Sequence, residues 1–316
     1  MPEPPLVVVA DPIDAAALAR LRAGPCRVID ASGDPKTLGS QLGDAWGLIV
    51  RSRTKVTSEL LAKAPHLALV ARAGVGVDNI DMAAAGARGI RVVNAPGAAT
   101  ASVAELTVAF YLLLVRGLYP QISATKGGKW ERGAHGRELA GKTVGFVGYG
   151  RIAREVARRI VPFGATPIAF DPFVSRSPDG TELVPFETLL ARADIVSLHA
   201  ALTPENRHLL NAAALAQMRP GAYVVNVARG ALVDEAALVA ALRSGGLAGA
   251  ALDVFEVEPP MNRELLEMAN VIPTPHIGAA TAEGQGRAGA ETVDEVLRAL
   301  RGEPLTSQVP TPGGAR

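Results

Sequence analysis

The sequence is poor in cysteine, in aromatic residues and in net charge. It has 316 residues and a single cysteine, Cys26, which excludes an internal disulfide and a cysteine-based metal site; no metal is predicted. The formal net charge of +1 gives no electrostatic basis for binding nucleic acid or an acidic membrane. Aromatic residues make up only 4%, so a core must come from Ala, Val, Leu and Ile. That composition favours a parallel sheet covered by helices.

Long hydrophobic runs are also missing. The longest apolar stretch, residues 108–115, lies between Glu105 and Arg116 and is too short to span a bilayer. The N-terminal sequence MPEPPLVVVADP has no basic segment before its apolar run, so we predict no signal peptide. Together these features predict a cytoplasmic protein.

What the sequence does contain is a regular alternation of β-rich runs with Ala- and Leu-rich stretches, which predicts an α/β fold of repeated βαβ units with parallel sheets. With 316 residues, 48% of them hydrophobic, two domains are expected. The predicted strands are residues 6–10, 47–50, 67–71, 90–94, 143–148, 166–170, 194–199, 222–227 and 250–255.

The sequence NAPG at 94–97 interrupts this alternation and marks a predicted domain boundary. Residues 100–118 after it read as one long apolar helix, which would cross between domains, bury a face in a partner subunit or pack as an ordinary core helix. The C-terminal residues 303–316 are rich in proline and glycine and are predicted to be extended and frayed at their end.

The strongest local pattern is a glycine-rich turn between a strand and a helix. After the run TVGFVG, Gly148, Gly150 and Ala153 form G-x-G-x-x-A: the first permits a tight turn, the second lets the backbone approach a pyrophosphate, and the third lets the helix pack closely. Asp171 follows the next strand, where its carboxylate would bind ribose hydroxyls and repel a 2′-phosphate. An arginine close to this acid could accommodate the 2′-phosphate of NADP, but Arg176 lies several residues beyond Asp171. NAD is therefore favoured over NADP as the cofactor.

Three later strands end in polar residues, where a parallel sheet places its ligands. Arg229 offers a planar fork for a carboxylate and for a developing alkoxide. His276 can donate or accept a proton, and Glu258 is the candidate acid that would orient its ring. Asp253, beyond another strand, could hold the nicotinamide carboxamide. These residue types suit the reduction of a 2-oxo acid, or the reverse oxidation.

Several segments resemble the D-isomer-specific 2-hydroxyacid dehydrogenases. VNVARGALVDEAAL, GAALDVFEVEPP and TPHIGAAT are similar to their signature segments, and KTVGFVGYGRIAREVA is similar to their nucleotide loop. ARAGVGVDNIDMAAAGARGIRVVNAPG resembles their substrate-domain segment, so that the likeness covers about residues 5–300. Within the family, IVRSRTKVTSELL, RAGVGVDNID and KGGKWERGAHGRELAGKTVG are most similar to the D-3-phosphoglycerate dehydrogenases.

The resemblance implies two Rossmann-like, doubly wound domains: a discontinuous substrate domain of residues 1–97 and 288–316, and an NAD domain of residues 98–287, with the reaction in the cleft between them. It also implies a homodimer formed through the NAD domain and a small-molecule substrate. Arg229, Glu258 and His276 would be catalytic. The implied cofactor contacts are Val75, Gly148, Gly150, Arg151, Ile152, Asp171, Ala200, Val227, Ala228, Asp253 and the segment 276–279 with Gly278 and Ala279, and the implied substrate-carboxylate contacts are Arg72, Gly74 and Val75.

The sequence departs from the family pattern in three places. Ala153 replaces the usual helix glycine, and the H-x-P-L-T segment reads His199-Ala200-Ala201-Leu202-Thr203, without its proline, which predicts a looser loop. Because the sequence ends near residue 316, we expect a short form without the C-terminal regulatory domain of some D-3-phosphoglycerate dehydrogenases.

Three functions stay open at this point: oxidation of 3-phosphoglycerate in serine biosynthesis, reduction of glyoxylate, hydroxypyruvate or another 2-oxo acid, and a non-catalytic NAD-sensing co-repressor. The first needs cations for a phosphate. Arg51, with the neighbouring Ser52, and Arg72 are candidates, because each arginine directly follows a predicted strand. Arg53, Lys55 and Arg132 are further candidates. The alternative interpretation is that these basic residues simply belong to an exposed loop.

Overall fold

The computed structural model describes residues 3–130, 132–133 and 135–311. The chain divides into two compact units, one made of Met1–Thr100 with Ala279–Arg316 and the other of Ala101–Gly278. We call them the outer-segment unit and the central unit. The extreme ends of the chain, and Glu131 and Ala134 within the segment KGGKWERGAHGRELAGKTVG, lie outside the described residues.

Strands and helices alternate along the described chain, which confirms the predicted α/β fold. The strands are β1 (Leu6–Val9), β2 (Arg27–Asp30), β3 (Ala45–Val50), β4 (Leu69–Arg72), β5 (Arg91–Val93), β6 (Thr143–Val147), β7 (Thr166–Phe170), β8 (Glu182–Leu183), β9 (Ile195–Leu198), β10 (Ala222–Asn226), β11 (Leu247–Leu252), β12 (Val271–Pro273) and β13 (Gln308–Val309). The helices are α1 (Ala15–Arg22), α2 (Pro35–Gln41), α3 (Ser58–Ala62), α4 (Met82–Ala87), α5 (Thr100–Val115), α6 (Leu118–Lys126), α7 (Arg151–Ile160), α8 (Phe186–Arg192), α9 (Ala212–Ala216), α10 (Glu235–Arg243), α11 (Arg263–Glu267) and α12 (Ala282–Leu300).

The outer-segment unit has a six-stranded sheet in the order β13-β5-β4-β3-β1-β2. Its strands are parallel except β13, which pairs antiparallel with β5 at the edge. The chain runs from β1 outward to β2 and then returns to the other side of β1 for β3, so the winding reverses between β1 and β3. Ligands of doubly wound sheets bind at the carboxyl ends of the strands at such a reversal.

The central unit has a seven-stranded parallel sheet in the order β12-β11-β10-β9-β6-β7-β8. Here the winding reverses between β6 and β9, as in dinucleotide-binding Rossmann folds. Central strands such as β6 and β9 are buried on both faces, which explains their continuous apolar sequence.

Polar side chains begin many of the helices by accepting hydrogen bonds from the free N–H groups of the first turn, so that helix starts follow from short local signals. These capping residues are Asp14, Asp34, Thr57, Asp81, Asn211, Asp234, Asn262 and Thr281.

The two compact units divide the chain at 100/101 and 278/279. The domain limits at 97/98 and 287/288 stay a prediction. In the outer-segment unit, α12 begins at Ala282 and buries Val293 and Val296 in the same core cluster as Val7 and Ile49.

The apolar segment at 100–118 forms a core helix of the central unit and ends earlier than predicted. α5 buries Phe110, Tyr111 and Leu114 in the core beneath the sheet, and Gly117 adopts a left-handed conformation (φ 56°) before α6 begins. Among the described residues no single helix is long and apolar enough to cross a membrane; α5 and α6 qualify only as a pair, by length and composition, and are bent by 72°.

The C-terminal tail is extended where it is described, with β13 pairing on β5, and the predicted fraying concerns residues 312–316, outside the described residues. Glu295, which is buried on α12, accepts hydrogen bonds from the backbone N–H and the hydroxyl of Thr306 and from the backbone of Ser307. The tail is thereby fixed to the helix that precedes it.

Candidate active site

The glycine-rich turn lies at the reversal of winding in the central sheet. Gly148 has φ 85°, and a Cβ there would lie 2.7 Å from the backbone nitrogen of Ala200, which follows β9. Only glycine therefore permits β6 and the 199–200 segment to approach so closely. Val156 and Ala153 on α7 are buried against the sheet, so the alanine in the third motif position allows the close packing that the motif requires.

Gly150 begins α7, and Arg151 and Ile152 form its first turn. The helix has no side chain bonded to its first N–H groups, and a Cβ on Gly150 would meet no protein atom within 4 Å. Open space in front of uncapped N–H groups at the positive end of a helix dipole suits a pyrophosphate. The residues present therefore fit a dinucleotide.

Asp171 follows β7 and is hydrogen-bonded within its own loop. Its Oδ2 accepts from the backbone nitrogen of Tyr149 at 2.8 Å and its Oδ1 from that of Phe173 at 2.9 Å. The carboxylate thus fixes the glycine-rich turn as well as presenting negative charge at the predicted ribose position. The hydroxyl of Tyr149 bonds Asp179 and Thr181 further along, which ties down the loop after β7.

A substitution at Gly150 tests the dinucleotide site without disturbing the free protein. We expect Gly150→Ala to weaken NADH binding at least about tenfold, because the new methyl group would occupy the space for the pyrophosphate. The free energy of unfolding should change by about 1 kcal/mol at most, since φ is −80° and no protein atom is contacted. Fluorescence titration with NADH and thermal unfolding measure the two effects; unchanged NADH affinity would contradict this assignment.

His276 and Glu258 meet at the carboxyl edge of the central sheet. His276 Nδ1 lies 2.9 Å from Glu258 Oε2, and Glu258 Oε1 accepts from the backbone nitrogen of Phe255 at 3.2 Å. The backbone hydrogen bond fixes the carboxylate, and the carboxylate orients the imidazole. This arrangement leaves Nε2 as the ring nitrogen available to a substrate, with the His276 side chain 51% exposed.

Asp253 is hydrogen-bonded to the loop that follows β12. It is buried, and its carboxylate accepts hydrogen bonds from the Thr274 hydroxyl and from the backbone nitrogens of Ile277 and Gly278, at 2.6, 2.8 and 2.8 Å. Its backbone carbonyl also accepts from the nitrogen of His276, whose φ of 53° is uncommon for a residue other than glycine. Asp253 therefore holds the loop that carries His276. Ala279, the next predicted contact, is exposed.

Arg229 lies in a short turn whose backbone is hydrogen-bonded to the side chain of Asn226. Asn226 is buried at the end of β10; its Oδ1 accepts from the nitrogen of Ala228 at 3.0 Å and its Nδ2 donates to the carbonyl of Arg229 at 2.9 Å. Val227 and Ala228 lie within this turn. Gly230 then packs so closely that a Cβ would lie 1.8 Å from the Phe255 carbonyl carbon. The turn with Arg229 is thus seated directly on the loop that carries Glu258.

His199 differs from His276 in its surroundings. Its ring packs against Phe146 with centroids 5.6 Å apart, its Nε2 lies 2.9 Å from the Ser197 hydroxyl, and its Nδ1 is buried with no hydrogen-bond partner among the described residues. Burial lowers the pKa of His199 to about 3, because the charged ring would lose its hydration. The ring is therefore neutral at ordinary working pH.

In the outer-segment unit, Arg51 and Arg72 lie at the ends of adjacent parallel strands. Val50 of β3 is in register with Arg72 of β4, and Arg51 is the next residue after Val50. A Cβ on Gly74 would lie 2.5 Å from Nη1 of Arg72, so the guanidinium folds over this glycine.

The other predicted substrate contacts belong to different units: Ser52 and Val75 to the outer-segment unit, and Arg132 to the central unit. Ser52 and Val75 are exposed beside these arginines. Both basic side chains of this loop have partners: Nη1 of Arg51 donates to the carbonyl of Pro12 at 3.3 Å, and the Arg53 guanidinium donates to the carbonyl of Ser32 and lies 3.5 Å from the Asp11 carboxylate. Arg132 belongs to the central unit, where it is exposed.

Known proteins resemble this chain along most of its length. The family profile described as "D-isomer specific 2-hydroxyacid dehydrogenase, NAD binding domain" matches residues 108–278. The chain is 45% identical over 315 residues to the D-3-phosphoglycerate dehydrogenase of Mycobacterium leprae, covering 98% of this chain and 60% of that protein. It is 45% identical over 257 residues to the hydroxypyruvate reductase of Thermotoga maritima, covering 80% of this chain and 84% of that protein.

Among solved structures, a glyoxylate reductase from Paecilomyes thermophila superposes with a TM-score of 0.89 at 32% identity, covering 98% of this chain and 99% of that one. The chain belongs to the D-isomer specific 2-hydroxyacid dehydrogenase family, and its central unit contains the family's NAD-binding domain. It spans about three fifths of the length of the mycobacterial D-3-phosphoglycerate dehydrogenase, 60% of that protein.

Proposed function

We propose that this protein is an NAD-dependent dehydrogenase that oxidises 3-phosphoglycerate to 3-phosphohydroxypyruvate. The dehydrogenase chemistry is supported above all by the His276–Glu258 pair, with an Nδ1–Oε2 distance of 2.9 Å. The choice of a phosphorylated substrate is supported by the two arginines at the ends of β3 and β4, and by 45% identity to a D-3-phosphoglycerate dehydrogenase over 98% of the chain.

The mechanism assigns one task to each residue of the catalytic set. In the oxidation, His276 Nε2 removes the proton of the substrate hydroxyl, and the Glu258 carboxylate stabilises the imidazolium that forms. Arg229 binds the carboxylate and stabilises negative charge on the oxygen as the carbonyl forms. When bound, NAD supplies the hydride acceptor. In the reverse reduction, His276 returns the proton to the carbonyl oxygen.

The remaining predicted site residues take binding roles in this proposal. Arg72 with Gly74 and Val75 would bind the substrate carboxylate region, and Arg51 with Ser52 would bind the phosphate, with Arg132 as a further cation. On the cofactor side, the turn at Gly148 and Gly150 and the carboxylate of Asp171 would bind NAD in preference to NADP. We also propose that two copies associate through the central unit, where exposed Tyr119 and Ile122 adjoin a groove of about 300 Å³. Sedimentation equilibrium tests this association.

A reductase of unphosphorylated 2-oxo acids is the second candidate, favoured by 45% identity to a hydroxypyruvate reductase of which the chain covers 84%. Steady-state turnover separates the two. The wild-type protein would be assayed with NAD and 3-phosphoglycerate, and with NADH and 3-phosphohydroxypyruvate, hydroxypyruvate or glyoxylate. The proposal requires the highest kcat/KM on the phosphorylated pair; turnover of the unphosphorylated acids alone would favour the reductase, and no turnover at all would favour an NAD-binding regulator.

Replacing Arg51 tests the phosphate assignment. We expect Arg51→Ala to raise the KM for 3-phosphoglycerate at least about tenfold, with a smaller effect on hydroxypyruvate, because arginine makes two charge-assisted hydrogen bonds with a phosphate. Arg53→Ala is the comparison variant: the Arg53 guanidinium is held by Ser32 and Asp11, whereas the Arg51 guanidinium makes a longer contact of 3.3 Å with the Pro12 carbonyl, so a smaller rise in KM is expected from Arg53→Ala. Equal effects of Arg51→Ala on both substrates would contradict the assignment.

A further inference from the structure

The loop that carries Arg51 lies at the reversal of winding in the outer-segment sheet. Asp11, two residues beyond the end of β1, is buried, and its Oδ2 accepts hydrogen bonds from the backbone nitrogens of Arg51 and Thr54 at 2.7 and 3.1 Å. Its Oδ1 accepts from the Thr54 hydroxyl at 2.7 Å. Burial alone would raise the pKa of Asp11, but these hydrogen bonds and the nearby Arg53 lower it below its ordinary value. An ionised carboxylate therefore binds the N–H groups at both ends of the loop.

Asn79 binds the carbonyl groups of the same two residues. Its Nδ2 donates to the carbonyl of Arg51 at 2.8 Å and to that of Thr54 at 2.7 Å. Both amide protons are therefore used on the loop. Between them, Asp11 and Asn79 satisfy the backbone N–H and C=O groups of both Arg51 and Thr54, and the loop has a defined shape without belonging to a helix or strand.

The remaining polar atom of Asn79 reaches the second arginine. Its Oδ1 accepts a hydrogen bond from Nε of Arg72 at 3.2 Å. The guanidinium of Arg72 is thus fixed from one side by Asn79 and restricted from the other by the close approach of Gly74, where a Cβ would lie 2.5 Å from Nη1. One uncharged side chain therefore connects Arg72 with the backbone that carries Arg51.

We propose that Asn79 is a positioning residue that fixes Arg72 relative to the Arg51–Thr54 loop and thereby sets the affinity for the anionic substrate. The inference rests on the proposed function, in which these arginines bind the anionic groups. Asn79 touches neither the reacting atoms nor the proton donor in this scheme. Because its Nδ2 is bonded to the loop carbonyls and its Oδ1 to Arg72, its effect on the substrate passes through the two arginines.

The first test uses two replacements of Asn79. Asn79→Ala removes all three hydrogen bonds, and Asn79→Asp keeps an oxygen for Arg72 but loses both donors to the loop carbonyls. We expect each to raise the KM for 3-phosphoglycerate at least about tenfold while kcat changes less than about threefold. A wild-type KM in Asn79→Asp, or a loss confined to kcat, would overturn the proposal.

Thr54→Val is the matched control for loop anchoring, because it removes the hydroxyl bond to Asp11 and leaves the contacts of Asn79 in place. A smaller rise in KM than that of Asn79→Ala is expected, and an equal rise would overturn the proposal by reducing Asn79 to one anchor among several. Circular dichroism and thermal unfolding of each variant establish that the fold is retained.

A double-mutant cycle then measures the coupling itself. In the Asn79→Ala background, Arg51→Ala should raise the KM for 3-phosphoglycerate less than threefold, compared with about tenfold in the wild-type background. Additive effects would overturn the proposal. If the wild-type protein does not oxidise 3-phosphoglycerate, the proposed function fails. The positioning role is then tested by a cycle of Asn79→Ala with Arg72→Ala, in which the KM for hydroxypyruvate is measured. Additive effects in that cycle would also overturn the proposal.

Discussion

Replacing His276 with alanine is expected to lower kcat by roughly 10²–10⁴-fold, the usual contribution of a general acid–base group. The His276 ring is paired with a carboxylate through its Nδ1 and Glu258 Oε2, 2.9 Å apart. Without it, no group of the proposed mechanism removes the hydroxyl proton. Binding of NADH should change little, because the adenosine and pyrophosphate contacts that we propose lie at the glycine-rich turn and Asp171.

His199→Ala is the matched control for this experiment. The His199 ring packs against Phe146, its Nδ1 is buried, and its pKa of about 3 leaves the ring neutral. We expect its replacement to weaken cofactor binding, because His199 directly precedes Ala200, whose backbone packs on Gly148. The kcat should be far less affected than in His276→Ala. Stopped-flow or steady-state assays with saturating NAD separate the two; near-normal turnover of His276→Ala would refute the mechanism.

The second large effect is expected from Gly230→Ala, although the change adds only one methyl group. Its Cβ would lie 1.8 Å from the carbonyl carbon of Phe255 and 2.4 Å from the nitrogen of Glu256, and backbone atoms cannot move aside as the end of a flexible side chain does. We expect the free energy of unfolding to fall by about 3 kcal/mol. The turn with Arg229 would be displaced from the loop with Glu258, and kcat/KM should fall roughly 100-fold.

Gly39→Ala distinguishes this clash from a general effect of replacing glycine. Gly39 lies inside α2, and a Cβ there would meet no atom within 4 Å. Alanine should stabilise that helix by about 0.5–1 kcal/mol and leave kcat/KM unchanged. Urea denaturation and initial rates measure both variants. A Gly230→Ala protein with wild-type stability and activity would show that the two loops are not seated on each other as described.

Much of the fold could be predicted from the sequence because buried parallel strands are continuous apolar runs. TPIAF, at 166–170, coincides with β7, and several other predicted strands overlap the observed ones within a few residues. β2 was not predicted, since Arg27–Asp30 lies at the sheet edge and is half exposed, so its sequence RVID has no apolar run. α5 ends at Val115 rather than at the predicted residue 118, because Arg116 ends the apolar run and Gly117 then adopts a left-handed conformation.

The candidate site could be predicted only in part. Strand ends with polar residues pointed to Arg229, Glu258 and His276, and the structure brings Glu258 and His276 within hydrogen-bond distance. The contacts of Asn79 and Asn226 were not predicted, because they join a side chain to backbone groups that no periodic pattern identifies. For Asn79 the partner carbonyl of Arg51 is 28 positions away in the sequence. The motif RAGVGVDNID contains Asn79, but no pattern within it explains why an asparagine occupies this position.

The two hydrogen bonds of Asp171 restrict how the cofactor preference of this protein can evolve. An exchange for alanine would remove the charge that opposes a 2′-phosphate, and with it the acceptor that holds the turn at Tyr149 and the one that holds Phe173. A lineage that gained NADPH use in this single step would also lose order in its pyrophosphate turn. A productive path keeps an acceptor at position 171, such as asparagine or serine, and adds a cation nearby in a separate step.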